Sequence, residues 1–159
     1  MNKNIRLALL AGIIMICLVG VYTIMTMLHT PTSATPPQQI IASQSGDVLI
    51  PIGNITTTTT YYTYDSGGVA IRYFLVKDGQ GTVRGALDAC DVCYAAKKGY
   101  RQIGDRMHCL NCGREFAISS LGTENTPGGC WPSYLPMTTT NGNVSIRTAD
   151  LLAKQFMFE

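Results

Sequence analysis

Charge is scarce in this chain. Lysine, arginine, aspartate and glutamate make up 14% of its 159 residues, the formal net charge is only +2, and there are two histidines and one tryptophan. That length allows one modest domain and excludes a large multidomain enzyme. Without Lys3 and Arg6 the remaining charges balance, which argues against nucleic acid, so no nucleic-acid partner is expected. No nucleophile paired with a general base and no phosphate-cradling glycine loop stands out. An electron carrier or metal-binding accessory is therefore a better expectation than a stand-alone enzyme. What the chain does have is apolar side chains, 46% of its residues, and six cysteines.

The apolar excess is concentrated near the N-terminus. Arg6 is the only charge within residues 5–28, and residues 7–28 carry none. A helix rises about 1.5 Å per residue and the hydrocarbon layer is about 30 Å thick, so roughly 20 residues span it. The run is longer than the apolar core of a signal peptide, which favours a retained anchor over a leader cut near Ser33-Ala34. Cys17 follows Ile16 rather than a small residue, which argues against a lipoprotein. Lys3 and Arg6 equal the whole net charge. Positive flanks stay cytoplasmic, so the expectation is a single-pass protein of the cell membrane, N-terminus cytoplasmic and C-terminal domain extracytoplasmic.

Three parts follow from composition: a membrane anchor at 1–28, a Pro/Thr/Ser-rich linker at 29–45 and an extracytoplasmic metal-binding domain at 46–159, long enough for one small core. Residues 47–55 read as extended. Residues 56–64 are β-branched and aromatic, Asp65-Ser66-Gly67-Gly68 supplies turn chemistry, and 69–76 form a second β-rich run, which together predict a hairpin. After the turn signal Lys77-Asp78-Gly79, residues 82–87 read as a third strand leading into Cys90. Between 100 and 116 short apolar pieces are interrupted by Gly104-Asp105 and by cysteines, the pattern of a loop-rich lobe held by something other than a core. Asn141-Gly142 starts a turn, 144–146 read as a strand, and Thr148 reads as the cap of a short helix reaching Lys154. The expected fold class is a single N-terminal transmembrane helix followed by a small mainly-β (α+β) domain with rubredoxin- or zinc-ribbon-like cysteine knuckles.

Five cysteines lie in the expected domain: Cys90, Cys93, Cys109, Cys112 and Cys130. The first four have the spacing Cys-x2-Cys, fifteen residues, Cys-x2-Cys. Two residues between cysteines aim both sulfurs at one centre, and a hairpin between the pairs completes a tetrahedron. Gly113, after the second pair, lets such a turn close tightly; Tyr94, after the first, does not. Disulfides are the other reading, because an oxidising compartment favours them. Joining Cys90 to Cys93, however, closes a small ring more typical of a redox dithiol than of a staple. No histidine follows either pair, so covalent c-type haem is not expected.

Cys130 sits in Pro127-Gly128-Gly129-Cys130-Trp131-Pro132, where two glycines permit close backbone approach. As the odd thiol it reads as a further ligand, a redox partner or a small buried side chain. His108 adjoins Cys109, but neighbours in an extended chain point opposite ways, so it reads as a shield. Met107 and Met137 would suit copper(I), yet read first as packing residues. Lys97, Lys98, Arg101, Arg106 and Arg114 surround the cysteines, offset by Asp88, Asp91, Asp105 and Glu115. Such a set reads first as a solvated face, and secondly as a field that steers an acidic partner.

Taken together, Leu87-Asp88-Ala89-Cys90-Asp91-Val92-Cys93, Gly99-Tyr100-Arg101-Gln102, Cys109-Leu110-Asn111-Cys112-Gly113 and Gly128-Gly129-Cys130-Trp131-Pro132 resemble the FtrD-like membrane iron–sulfur family, whose members accompany iron permeases in some bacterial operons. The resemblance implies that Cys90, Cys93, Cys109, Cys112 and Cys130 belong to a metal-binding motif. Iron or an iron–sulfur cluster is the implied cofactor, with zinc or copper as alternatives, since spacing does not separate iron from zinc. Tyr94 and Trp131 depart from the glycine and the polar residue expected beside the cysteines. The implied partners are the membrane and an iron permease or redox partner protein, and transport itself is expected to need a separate protein. The expected function is an electron-transfer accessory of iron uptake or of a membrane redox system. A structural zinc module for assembly and a copper or dithiol handling protein are the competing expectations.

Overall fold

The computed structural model describes residues 46–159 and the backbone of residues 38–39. Ten strands are described: β1 (Gln38–Gln39), β2 (Asp47–Pro51), β3 (Thr60–Ser66), β4 (Val69–Lys77), β5 (Val83–Leu87), β6 (Tyr100–Ile103), β7 (Arg106–Cys109), β8 (Glu115–Ala117), β9 (Thr138–Thr140) and β10 (Asn143–Arg147). They form three sheets, ordered β1-β3-β4-β5, β2-β10-β9 and β6-β7-β8. All pairings among them are antiparallel except the short parallel contact of β1 with β3.

The hairpin β3-β4 turns on Gly67 and Gly68, with φ of 62° and 101°, and the register closes at Ser66 opposite Val69. A two-residue loop with both φ values positive matches the right-handed twist of its strands, and glycine adopts it without strain. The Asp65 carboxylate reinforces it by accepting the Gly68 N–H at 2.8 Å. The strand starts at Thr60 rather than at 56. Thr59 instead sends its N–H and its hydroxyl to Gln102 Oε1, at 2.6 and 2.7 Å, which ties the loop to β6. Asn141-Gly142 makes the equivalent turn between β9 and β10, with φ of 50° and 74°.

β4 is the wall between two cores. Its side chains alternate across the sheet, so Ile71, Tyr73 and Leu75 enter one apolar cluster and Phe74 and Val76 the other. The first cluster adds Val48 and Ile50 of β2, Val144 and Ile146 of β10, Tyr62, Leu87, Leu135 and Leu151. Tyr62 stacks on its cross-strand partner Tyr73 with ring centroids 5.4 Å apart. The second cluster adds Tyr100, Met107, Cys109 and Phe116 from the β6-β7-β8 sheet, together with Cys90 and Cys130. Both faces of one sheet are therefore covered, which is the layered solution expected of strands buried on both sides.

The expected fold class requires correction. The described chain is mainly β, and its one α-helix, α1 (Thr148–Leu152), has five residues. Among the described residues no helix is long and apolar enough to cross a membrane. The anchor expected at 1–28 lies outside the described residues, as does the linker expected at 29–45 apart from Gln38 and Gln39. Thr148 does not cap the helix with its side chain: its hydroxyl donates to the Gly46 carbonyl. The stretch 100–116 is a three-stranded sheet rather than loop, because Tyr100, Met107, Cys109 and Phe116 alternate inward across short strands. The rubredoxin-like picture of two knuckles closing on each other also fails, because a third segment enters the cluster.

Candidate metal centre

That third segment is carried in by backbone pairing. Leu87 donates its N–H to the Ser133 carbonyl, Ser133 donates to the Ala89 carbonyl, Asp91 donates to the Trp131 carbonyl, and Cys90 bridges to Pro132. The chain around Cys130 thus runs antiparallel to the continuation of β5 and lays Cys130 against Cys90. Gly128 and Gly129, with φ of 75° and 81°, turn the chain into this path. Trp131 fastens it, its indole donating to the Thr123 carbonyl at 3.2 Å and packing edge-on against Phe116 at 5.3 Å.

Each Cys-x2-Cys segment folds as a tight knuckle. Tyr94 donates to the Cys90 carbonyl at 3.0 Å and Gly113 to the Cys109 carbonyl at 2.9 Å, equivalent bonds four residues apart. Gly113 does so at φ 73°, as the sequence anticipates, whereas after the first knuckle the positive φ falls later, on Lys97 and Gly99. Leu110 N–H bonds to the Gly99 carbonyl at 3.0 Å and ties the second knuckle to the chain entering β6.

All five predicted cysteines converge, and all are free thiols. The Sγ atoms of Cys90, Cys93, Cys109 and Cys130 lie within 4.8 Å of one another. Cys130 is 2.9 Å from Cys90, 4.0 Å from Cys93 and 3.1 Å from Cys112. Cys130 is therefore the hub, and Cys112 is the exposed member at the edge. His108 is not brought in: its Nδ1 faces Glu115 at 3.6 Å on the opposite side of β7. Met107 is buried in the core, accepting the Thr59 hydroxyl, and Met137 packs against the other cluster. A cleft of about 440 Å³ nearby, lined by Arg72, Asp88, Tyr94, Lys97 and Phe158 among others, contains none of the sulfurs.

The thiols differ in acidity. Burial opposes ionisation of Cys90, but hydrogen bonds from Cys130 and from the N–H groups of Cys93 and Val92, with the Tyr100 side chain close by, outweigh it and bring the thiol down to about 7. Cys112 is lowered by its bond from Cys130 and by the Arg114 N–H. Cys130 is pushed up, by burial first and then by donating to Cys90 and Cys112. Cys93 is raised as well: a bond from Asn111 works against it, and burial with the neighbouring Cys90 and Cys112 prevails.

The donor set fits a thiolate-bound metal group. Four thiolates about 2.3 Å from one tetrahedral ion stand about 3.8 Å apart, within the range of the separations here. Backbone N–H groups already point at two of the sulfurs, as metal thiolates require. The Tyr100 hydroxyl is buried without a partner of its own, beside Cys90. Tyr100 and Asp88 are contributors whose roles the sequence did not signal. Asp88 accepts the Tyr100 N–H at 2.8 Å and meets Arg72 at 3.4 Å, so it clamps the start of β6 beneath the first knuckle. Both residues lie in the motif stretches, but only the pairing of β6 with β7 reveals what they face.

Comparison with known proteins agrees with this chemistry. A family model described as membrane iron-sulfur containing protein FtrD-like matches residues 56–158, and the chain belongs to that family. No curated protein and no solved structure matches it.

Proposed function

We propose, from membership of that membrane iron–sulfur family, that the protein is a membrane-associated electron carrier whose five cysteines hold iron or an iron–sulfur cluster. The observation that carries this reading is the convergence of thiols from three separate segments on one half-buried cluster. Iron bound there would supply a one-electron couple. The chain's own part is to hold the charge of its ligands with the N–H groups of Val92, Cys93 and Arg114. Phe74, Met107, Phe116 and Trp131 exclude water from the inner side. Cys112, the exposed sulfur, gives the edge at which a partner approaches.

The partner in this reading is an iron permease or another membrane redox protein, and the domain stands on the extracytoplasmic side. Full-length protein purified without oxygen should contain iron, show a visible absorption that bleaches on reduction and give a paramagnetic resonance signal in one oxidation state. A colourless protein with stoichiometric zinc overturns the carrier. An impermeant protease added to intact cells should degrade the domain; full protection would reverse its side.

The compactness of the four nearest sulfurs also suits a single tetrahedral zinc ion that holds the lobe together. In that case chelation unfolds the cysteine lobe and leaves no redox couple to lose.

A further inference from the structure

Tyr100 is held from several sides. Its N–H donates to Asp88 Oδ1 at 2.8 Å, its carbonyl accepts the Tyr61 hydroxyl at 2.9 Å, and it pairs with Cys109 across β6-β7. Its ring lies between Phe74 and Phe116, with centroids 6.2 and 6.0 Å away. Backbone and ring are thus fixed before any ligand binds. At the end of this rigid arm the hydroxyl is buried with no partner of good geometry. It shares one buried cluster with the sulfurs of Cys90, Cys109 and Cys130, and Cys90 is its first sulfur neighbour. A buried hydroxyl without an acceptor is costly, so a position this tightly constrained calls for one.

We propose that the Tyr100 hydroxyl donates a hydrogen bond to the Cys90 sulfur of the metal-loaded centre, withdrawing charge from that ligand and raising the reduction potential of iron bound there. The second half rests on the electron-carrier reading; the bond itself does not. Reduction places more negative charge on the ligand sulfurs, and a donor aimed at one of them stabilises the reduced form more than the oxidised form. A phenol keeps its proton at neutral pH and is a donor there. Tyr61 is the natural control, because its hydroxyl meets only the Tyr100 carbonyl and not a sulfur.

The test is Tyr100→Phe in the full-length protein, which keeps the ring and deletes the donor. Two readouts are taken: the midpoint potential of the iron form, and the sulfur-to-metal charge-transfer band of protein loaded with cobalt(II). The variant is expected to move the potential to more negative values and the cobalt band to longer wavelength, while Tyr61→Phe moves both less. Wild-type values of both in Tyr100→Phe, at equal metal content, overturn the proposal. A shifted cobalt band in a protein that has no iron couple upholds the bond and defeats the electron-carrier reading, so the two failures are distinguishable.

Discussion

The two faces of β4 carry different kinds of interior. On one side Ile71, Tyr73 and Leu75 meet Val48, Ile50, Val144 and Ile146, and aliphatic and tyrosine side chains close the gap with no thiol among them. On the other, Phe74 and Val76 meet a small sheet whose inward positions include Cys109, with Cys90 and Cys130 from flanking loops. Each face buries a tyrosine hydroxyl without a partner, Tyr73 on the first and Tyr100 on the second, but only the second sets its phenol among thiols. Two buried aspartates differ as well. Asp78 accepts N–H groups from Gln80 and Thr82 and an Arg84 guanidinium at 2.9 Å, and its carboxyl is held below the usual range, first by the Arg84 bond. Asp88, beside the cysteines, has the Tyr100 N–H and a looser Arg72, and burial wins, raising it to about 6. One carboxylate has its charge matched in place; the other, beside the cysteines, does not.

The strongest way to break this contrast is to remove the hub sulfur. Cys130→Ala should lower metal affinity by more than the 10–100-fold typical of losing an outer partner, measured by metal content after dialysis against chelator. Cys112→Ala should cost less, and equal losses would refute the central place of Cys130. Metal removal should likewise strip amide-exchange protection from β6, β7 and β8 and leave β2 and β10 protected. Uniform loss across all sheets would mean that the two cores are not separable.

The reverse experiment acts on the hydrocarbon face. Ile146 is fully buried, so Ile146→Ala should lower the stability of the whole domain by about 2–5 kcal/mol in denaturant titration, with the metal spectrum unchanged. A changed spectrum would show the wall of β4 to be softer than its packing implies.

The aspartates sharpen the comparison through pH. The folded state holds the Asp88 proton more tightly than the unfolded chain does. Its contribution is therefore fully present below about 4 and is lost as pH rises through about 6, worth at most about 3 kcal/mol. Asp88→Asn should flatten the stability profile in that window. Asp78 has the opposite sign: its contribution is present above the ordinary aspartate value and disappears as pH falls through its lowered one. Asp78→Asn should lower the melting temperature at neutral pH and have a smaller effect in strong acid. Parallel profiles for the two variants would erase the distinction.

Some of this was legible in the residues. Gly67-Gly68 and Asn141-Gly142 announce their hairpins because only a few residue types tolerate positive φ at consecutive positions. The paired Cys-x2-Cys segments announce that their thiols come together. Other features were hidden. The strands of β6, β7 and β8 are three or four residues long, too short for alternation to be distinguished from chance among cysteines and glycines. The threonines at 56–59 look like strand and are loop, because Gln102, far along the chain, competes for Thr59.

The amino-acid order alone determined that thiols dominate the chemistry and that two tight knuckles form, since both depend on residues within one turn of each other. Tertiary structure decided that Cys130 is the hub, that His108 faces away and that the Tyr100 hydroxyl ends beside a sulfur. Each of those facts is made by chain segments remote in sequence, joined by backbone pairing along β5 and across β6-β7, and no local pattern encodes which remote segment a strand edge will accept.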